Sequence, residues 1–129
     1  MTGVQTCALP ISTYRATLDK IAAAAEAAGR TIDRFGTGHL LFTRLDDSYE
    51  RALDIAVEAL SHRYGMDFRR AAERYAALGT AEQVAARIRA FHEAGVRHLV
   101  LDLVGPYEER PQQIDGFARD VLPLLADLR

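Results

Sequence analysis

The sequence predicts an α/β fold with a parallel sheet, on three observations. Two runs are nearly continuous in apolar side chains, HLLFTRL (His39 to Leu45) and VRHLVLDLV (Val96 to Val104). Stretches with apolar residues at helical spacing lie before, between and after them. The link between the runs is long enough for a helical crossover, so the two strands form a βαβ unit, which is right-handed.

The elements follow in chain order. Tyr14 to about Ala28 reads as a helix, with Leu18, Ile21, Ala22 and Ala25 on one face and Gly29 where a C-terminal glycine belongs. A turn-rich link, RTIDRFGTG, leads to the first strand, His39 to Leu45, which is apolar enough to be buried on both faces. Asp47 then opens a helix, spaced from Glu50 as in a capping box, with Leu53, Ala56, Val57 and Leu60 as its buried stripe and an end near Tyr64 and Gly65. Met66 to Gly79 reads as a second, shorter helix. Thr80 and Gln83 form another capping box, and Val84, Ile88 and Phe91 face inward until Gly95. The strongest strand, Val96 to Val104, is broken by Gly105-Pro106. PQQIDGFARDVLPLLADL closes the chain as a helix, with Pro111 in its first turn and Pro123 ending or kinking it.

Composition excludes several functions. The chain has 129 residues, 49% hydrophobic and 26% charged, with a formal net charge of -2. That length suits one domain, and the near-balance of charge supports neither a nucleic-acid partner nor a polybasic membrane contact. A single cysteine cannot form an internal disulfide, and no apolar run approaches the roughly 20 residues of a spanning helix. A cytoplasmic location is expected.

Few residues offer chemistry. His39, His62, His92 and His98 show no metal-ligand spacing. The first and last of these begin strands, the stability end of a barrel, while the other two lie late in helices, where positive charge suits the dipole. Gly36 and Gly38 precede a strand, whereas a dinucleotide fingerprint follows one. Asp46 and Asp47 read as helix capping, and Cys7 has no identifiable partner. Asp102, the polar residue inside the last strand run, either faces a site at the strand's C-terminal end or bonds a neighbouring loop.

Several pieces in order carry a resemblance: EAAGRTIDRF, DDSYERALDIAVEAL, GTAEQVAARIRAFHEAGVRHLVL and the closing DVLPLL. From Thr13 to Arg129 the chain resembles the C-terminal part of luciferase-like flavin-dependent oxidoreductases. The resemblance implies a bacterial TIM (β/α)8 barrel enzyme using FMN or a deazaflavin coenzyme on a small-molecule substrate, by monooxygenation or hydride transfer. Such barrels need about 250 residues, and two strands make only a C-terminal part. Early strands and a glycine-rich segment carry much of the family's flavin site. The chain alone is therefore expected to be inactive, to bind no coenzyme tightly and to self-associate through exposed sheet edges. No catalytic, cofactor-binding or metal-ligating residue is assigned. By position, Arg44 to Asp47 and Asp102 to Tyr107 would face the site of an intact barrel. The alternative is a small, complete α/β binding or interaction module without catalytic activity.

The opening MTGVQTCALPIS differs from the rest: it has no charge, no periodicity and the one cysteine. Back-translated as ACT GGA GTT CAG ACG TGT GCT CTT CCG ATC, TGVQTCALPI reads as a widely used short-read sequencing adapter. Residues 1–12 are therefore expected to be a non-native leader, with native sequence over 13–129.

Overall fold

The computed structural model describes residues 10–32 and 35–128. The elements are α1 (Ile11–Ala27), β1 (Gly38–Leu45), α2 (Tyr49–Tyr64), α3 (Arg69–Tyr75), β2 (Ala77–Gly79), α4 (Ala81–Glu93), β3 (His98–Leu103) and α5 (Arg110–Gly116). Residues 1–9, and with them most of the expected leader and Cys7, lie outside the described residues. Ile11 and Ser12 form the first residues of α1, which begins just after Pro10, three residues before the apolar periodicity starts.

The sheet is parallel, as expected, but it has three strands where the sequence suggested two. Their order is β2-β1-β3, with β1 in the centre. β3 pairs along β1 from Gly38↔His98 to Thr43↔Leu103. β2 pairs only with its last residues, Thr43↔Ala77 to Leu45↔Gly79. Two bonds extend these ladders, Asp46 N–H to Gly79 O at 2.8 Å and Val104 N–H to Thr43 O at 3.0 Å. The Thr43 hydroxyl also ties β1 to β2 by donating to Ala77 O at 2.9 Å. β2 falls inside the stretch read as one helix. Helix α3 stops at Tyr75 because Ala76 turns to extended backbone, φ -88° and ψ 158°.

Helices cover both faces of the sheet. On one, Phe42, Leu78 and Val104 meet Leu53, Ala56 and Leu60 of α2, with Phe68 and Ala72 below them. On the other, Leu41 and Ala77 meet Val84, Ile88 and Phe91 of α4, with Tyr14 of α1 and Val121 closing the cluster. Adjacent β1 residues thus feed opposite cores, since side chains alternate across a strand. This explains why HLLFTRL reads as continuous apolar sequence: both faces of β1 are buried.

Local chemistry sets the helix ends. The Thr80–Gln83 capping box is present, with Gln83 N–H donating to the Thr80 hydroxyl and Thr80 N–H donating to Gln83 Oε1 at 3.0 Å. Helix α2 is capped by Ser48, not Asp47; the Ser48 oxygen accepts from Arg51 N–H at 3.4 Å. Asp47 stands in solvent instead. Gly65 ends α2 at φ 65°, a left-handed conformation that glycine adopts without cost. The closing helix is interrupted as Pro123 predicts. After Gly116 it widens into a π turn, Phe117–Val121, and then tightens into a 3-10 stretch, Leu122–Leu128. Proline cannot donate to the carbonyl four residues back, so the regular ladder cannot pass through it.

Candidate functional site

A cleft of about 930 Å³ opens at the carboxyl ends of the strands, where ligands bind in parallel α/β sheets. Its floor is the end of β1, Arg44 and Leu45. The segment after β2 (Thr80 to Glu82) and the start of α2 form two sides. Glu109, Gln113 and Asp120, from the chain after β3, form the third.

Arg44 organises this floor. It is 4% exposed although it sits at the end of a central strand. Its guanidinium donates to Val104 O at 3.3 Å and to Glu109 Oε2 at 2.6 Å, and Asp46 lies 3.9 Å away. A buried cation needs such partners, because desolvating it unpaired costs several kcal/mol. Gly105 makes room for it: a Cβ at this residue, φ 127°, would strike Arg44. The glycine that reads in sequence as a strand breaker is also the space that the guanidinium occupies.

Gln113 seals the strand end. Its amide oxygen accepts from Leu45 N–H at 2.8 Å and its amide nitrogen donates to Leu45 O at 2.9 Å. One side chain thus satisfies both backbone polar groups of the strand-end residue, as a neighbouring strand would. With Arg44–Glu109 it ties the chain after β3 across the top of β1.

Asp46 holds the α2 side. Burial pushes its carboxyl up, but donation from Arg51 and the Ser48 N–H, together with the Arg51 charge, outweighs this and holds it below the usual range. The cleft wall carries five carboxylates (Asp46, Asp47, Glu82, Glu109, Asp120) against the guanidiniums of Arg44, Arg51 and Arg119. All three guanidiniums are engaged, with Glu109, Asp46 and Asp120 respectively.

The positions expected to face a site divide. Arg44 to Asp47 do line the cleft. Asp102 does not; it accepts from Arg63, in the last turn of α2, at 2.7 Å. The part of the β3 exit that reaches the cleft begins at Glu109, beyond the expected Asp102 to Tyr107. Sequence reasoning missed Gln113 and Glu109; a glutamine inside a polar helix start carries no local signal of its strand-end partner. His39 and His98 do sit at the N-terminal ends of β1 and β3, and His62 and His92 in the last turns of α2 and α4. Among the described residues, no group of three histidine, cysteine or acidic side chains is placed to hold a metal. No helix among them is long and apolar enough to cross a membrane.

An α/β chain with parallel strands and a cleft at their carboxyl ends is the architecture of many coenzyme-dependent enzymes. The family model of luciferase-like monooxygenases matches residues 2–98, and the chain belongs to that family. A search of the curated proteins gave no match. Among solved structures, it is similar to an F420-dependent secondary alcohol dehydrogenase in complex with an F420-acetone adduct, with a TM-score of 0.61 at 20% identity. That likeness covers 91% of this chain and 41% of the dehydrogenase. It is also similar to the coenzyme F420-dependent tetrahydromethanopterin reductase from Methanopyrus kandleri, with a TM-score of 0.62 at 18% identity, over 90% of this chain and 43% of the reductase. The fold is therefore that of part of a luciferase-like barrel enzyme, and the chain spans less than half the length of either structure.

Proposed function

We propose that this chain is the C-terminal wall of a luciferase-like oxidoreductase that uses a flavin or deazaflavin coenzyme on a small-molecule substrate, and that it is inactive alone. The supporting observation is the cleft at the strand carboxyl ends in a chain of this family. The F420 dependence of both structural neighbours favours a deazaflavin over FMN.

The guanidiniums of this cleft offer no free charge to the anionic end of either coenzyme. FMN and F420 carry phosphate, which calls for a free cation or a cradle of backbone amides. Every guanidinium in the cleft wall already has a carboxylate, and acidic groups outnumber them. On this reading another part of the barrel supplies the phosphate cradle. What this chain supplies is a rigid, closed strand end against which a ring system could lie.

The test is fluorescence titration of the purified chain with FMN and with F420, beside the same chain extended upstream through the preceding barrel strands. Saturable micromolar binding is expected for the extended protein and none for this chain. Tight binding by this chain alone would overturn the claim that the coenzyme site lies elsewhere. Failure of both proteins to bind would count against the coenzyme reading itself.

A further inference from the structure

We propose that the segment from Gly105 to Gly116 is a hinged wall of the cleft, latched onto the end of β1 by side chains and released as a unit when the latch opens. The opening is a property of this chain; only its use in admitting a ligand rests on the coenzyme reading.

The latch stands where a rung of the sheet is missing. β3 runs beside β1 as far as Thr43↔Leu103, and Thr43 O accepts from Val104 N–H at 3.0 Å. Continued to the end of β1, this register sets Leu45 opposite Gly105. The Leu45 carbonyl would then face the nitrogen of Pro106, which has no hydrogen to give. The Leu45 N–H would face Val104 O, which already accepts from Arg44 at 3.3 Å. Gln113, in the first turn of α5, makes both bonds instead, at 2.8 and 2.9 Å. A side-chain rung can swing away by rotation about its own single bonds, which a backbone rung cannot. Both halves of this latch lie in β1 and in the segment, so strands added at the edges of the sheet leave it untouched.

The chain is anchored on either side of the segment. Val104 lies in the α2–α3 core, Phe117 and Val121 in the α1–α4 core. Between them no side chain enters either core of the described residues. The second tie is Glu109 on Arg44, at 2.6 Å. Parts held this way open at a lower free energy than the whole domain. Each end has a hinge. Gly105 stands at φ 127°, with Arg44 where its Cβ would be. At Gly116 α5 gives way to the π turn, an irregularity that recurs at functional sites. Closure also leaves Arg44 Nε buried without an acceptor, a cost that opening relieves by admitting water.

The experiment is hydrogen exchange on the full chain, followed amide by amide by NMR, without urea and at low urea. Leu45 N–H reads the latch directly, because Gln113 Oε1 is its acceptor. Its exchange is expected to be at least about tenfold faster than that of Leu41 and Ile88, and independent of urea below the unfolding transition. Gln113→Ala should speed it about tenfold further, with Leu41 and Ile88 unchanged. Glu109→Gln tests whether the wall moves as a unit. Glu109 bonds to Arg44 and not to Leu45, yet weakening that tie should speed Leu45 exchange about threefold or more. A Leu45 amide with the rate and urea dependence of Leu41 would open only with the whole sheet, and overturns the proposal. So does a Glu109→Gln variant that leaves Leu45 unchanged, or one that speeds Leu41 and Ile88 by the same factor. If either variant does not fold, the urea series on the unaltered chain decides alone.

Discussion

His39 is a base held where water and acceptors are scarce. Its ring stacks on Phe91 at 4.4 Å and meets the edge of Tyr14 at 5.6 Å. Its Nε2 is buried with no hydrogen-bond partner. The Tyr14 hydroxyl donates elsewhere, to Gly38 O at 3.1 Å. Burial therefore pushes the imidazole below its ordinary value, because the charged form would lose its water. The unfolded chain protonates near pH 6.5, while the folded one stays neutral to a lower pH. Between those two values the unfolded chain holds the extra proton, so stability falls as pH drops through this window. Above it, both forms are neutral and His39 contributes no pH dependence. Asp46 and Asp127 act lower. Their carboxyls are held down by arginine partners, Asp127 to about 2, so their stabilisation is present above the ordinary carboxylate range and lost below it. The expected outcome is a melting temperature that falls as pH drops below about 6.5, with His39→Phe flattening the slope in that range alone. An unchanged slope in the variant would sink the assignment to His39.

At the scale of elements, the short strand β2 carries more than its three residues suggest. It ends at Gly79, φ 106°, where a Cβ would collide with the Gln83 side chain of the capping box and lie 3.3 Å from the backbone of Tyr49. The glycine lets the chain turn from strand into α4 while the box closes over it. Gly79→Ala is therefore expected to cost more than Thr80→Ala. The alanine cap variant loses about 1 kcal/mol. The glycine variant adds backbone strain of about 1–3 kcal/mol to a broken box. Urea unfolding of both variants, at equal slope, measures the order; the reverse order would place the constraint in the cap and not in the turn. This junction also marks what the sequence could reveal. The capping box was legible because Thr80 and Gln83 act at fixed spacing within four residues. β2 was not, because Ala77 and Leu78 continue the apolar rhythm of α3 and only long-range pairing with Thr43 to Leu45 makes them a strand. The Asp47 cap was misread for a related reason. Three candidate caps stand together, and Asp46 is drawn off to Arg51, leaving Ser48 to the helix. The interrupted closing helix was readable, since Pro123 imposes its break wherever it sits.

The whole molecule hangs on β1. Its alternating residues feed two cores that share no helix: Phe42 and Leu40 on the α2–α3 side, Leu41 and Leu45 on the α1–α4 side. Its end is gripped by Arg44 with Glu109 and by Gln113 on Leu45. Two small cores on opposite faces could in principle unfold separately. A shared central strand prevents this, because losing either helix layer exposes half of β1 and removes the support of the other. Leu60 and Phe91 test the point. Both are fully buried, one in each core. Truncation to alanine is expected to cost about 2–5 kcal/mol for Leu60 and about 3–5 kcal/mol for Phe91, a large share of the about 5–15 kcal/mol available to a domain of this size. If β1 couples the layers, each variant should lose helix signal in one transition that coincides with the burst of tyrosine exposure, since Tyr14 packs in the α1–α4 core and Tyr49 and Tyr75 pack against the α2–α3 core. Non-coincident transitions in Leu60→Ala, with Tyr49 and Tyr75 freed while Tyr14 stays packed, would mean that the sheet carries two independent units. Coincidence would show that β1, paired on both sides, binds the two helix layers into one cooperative unit.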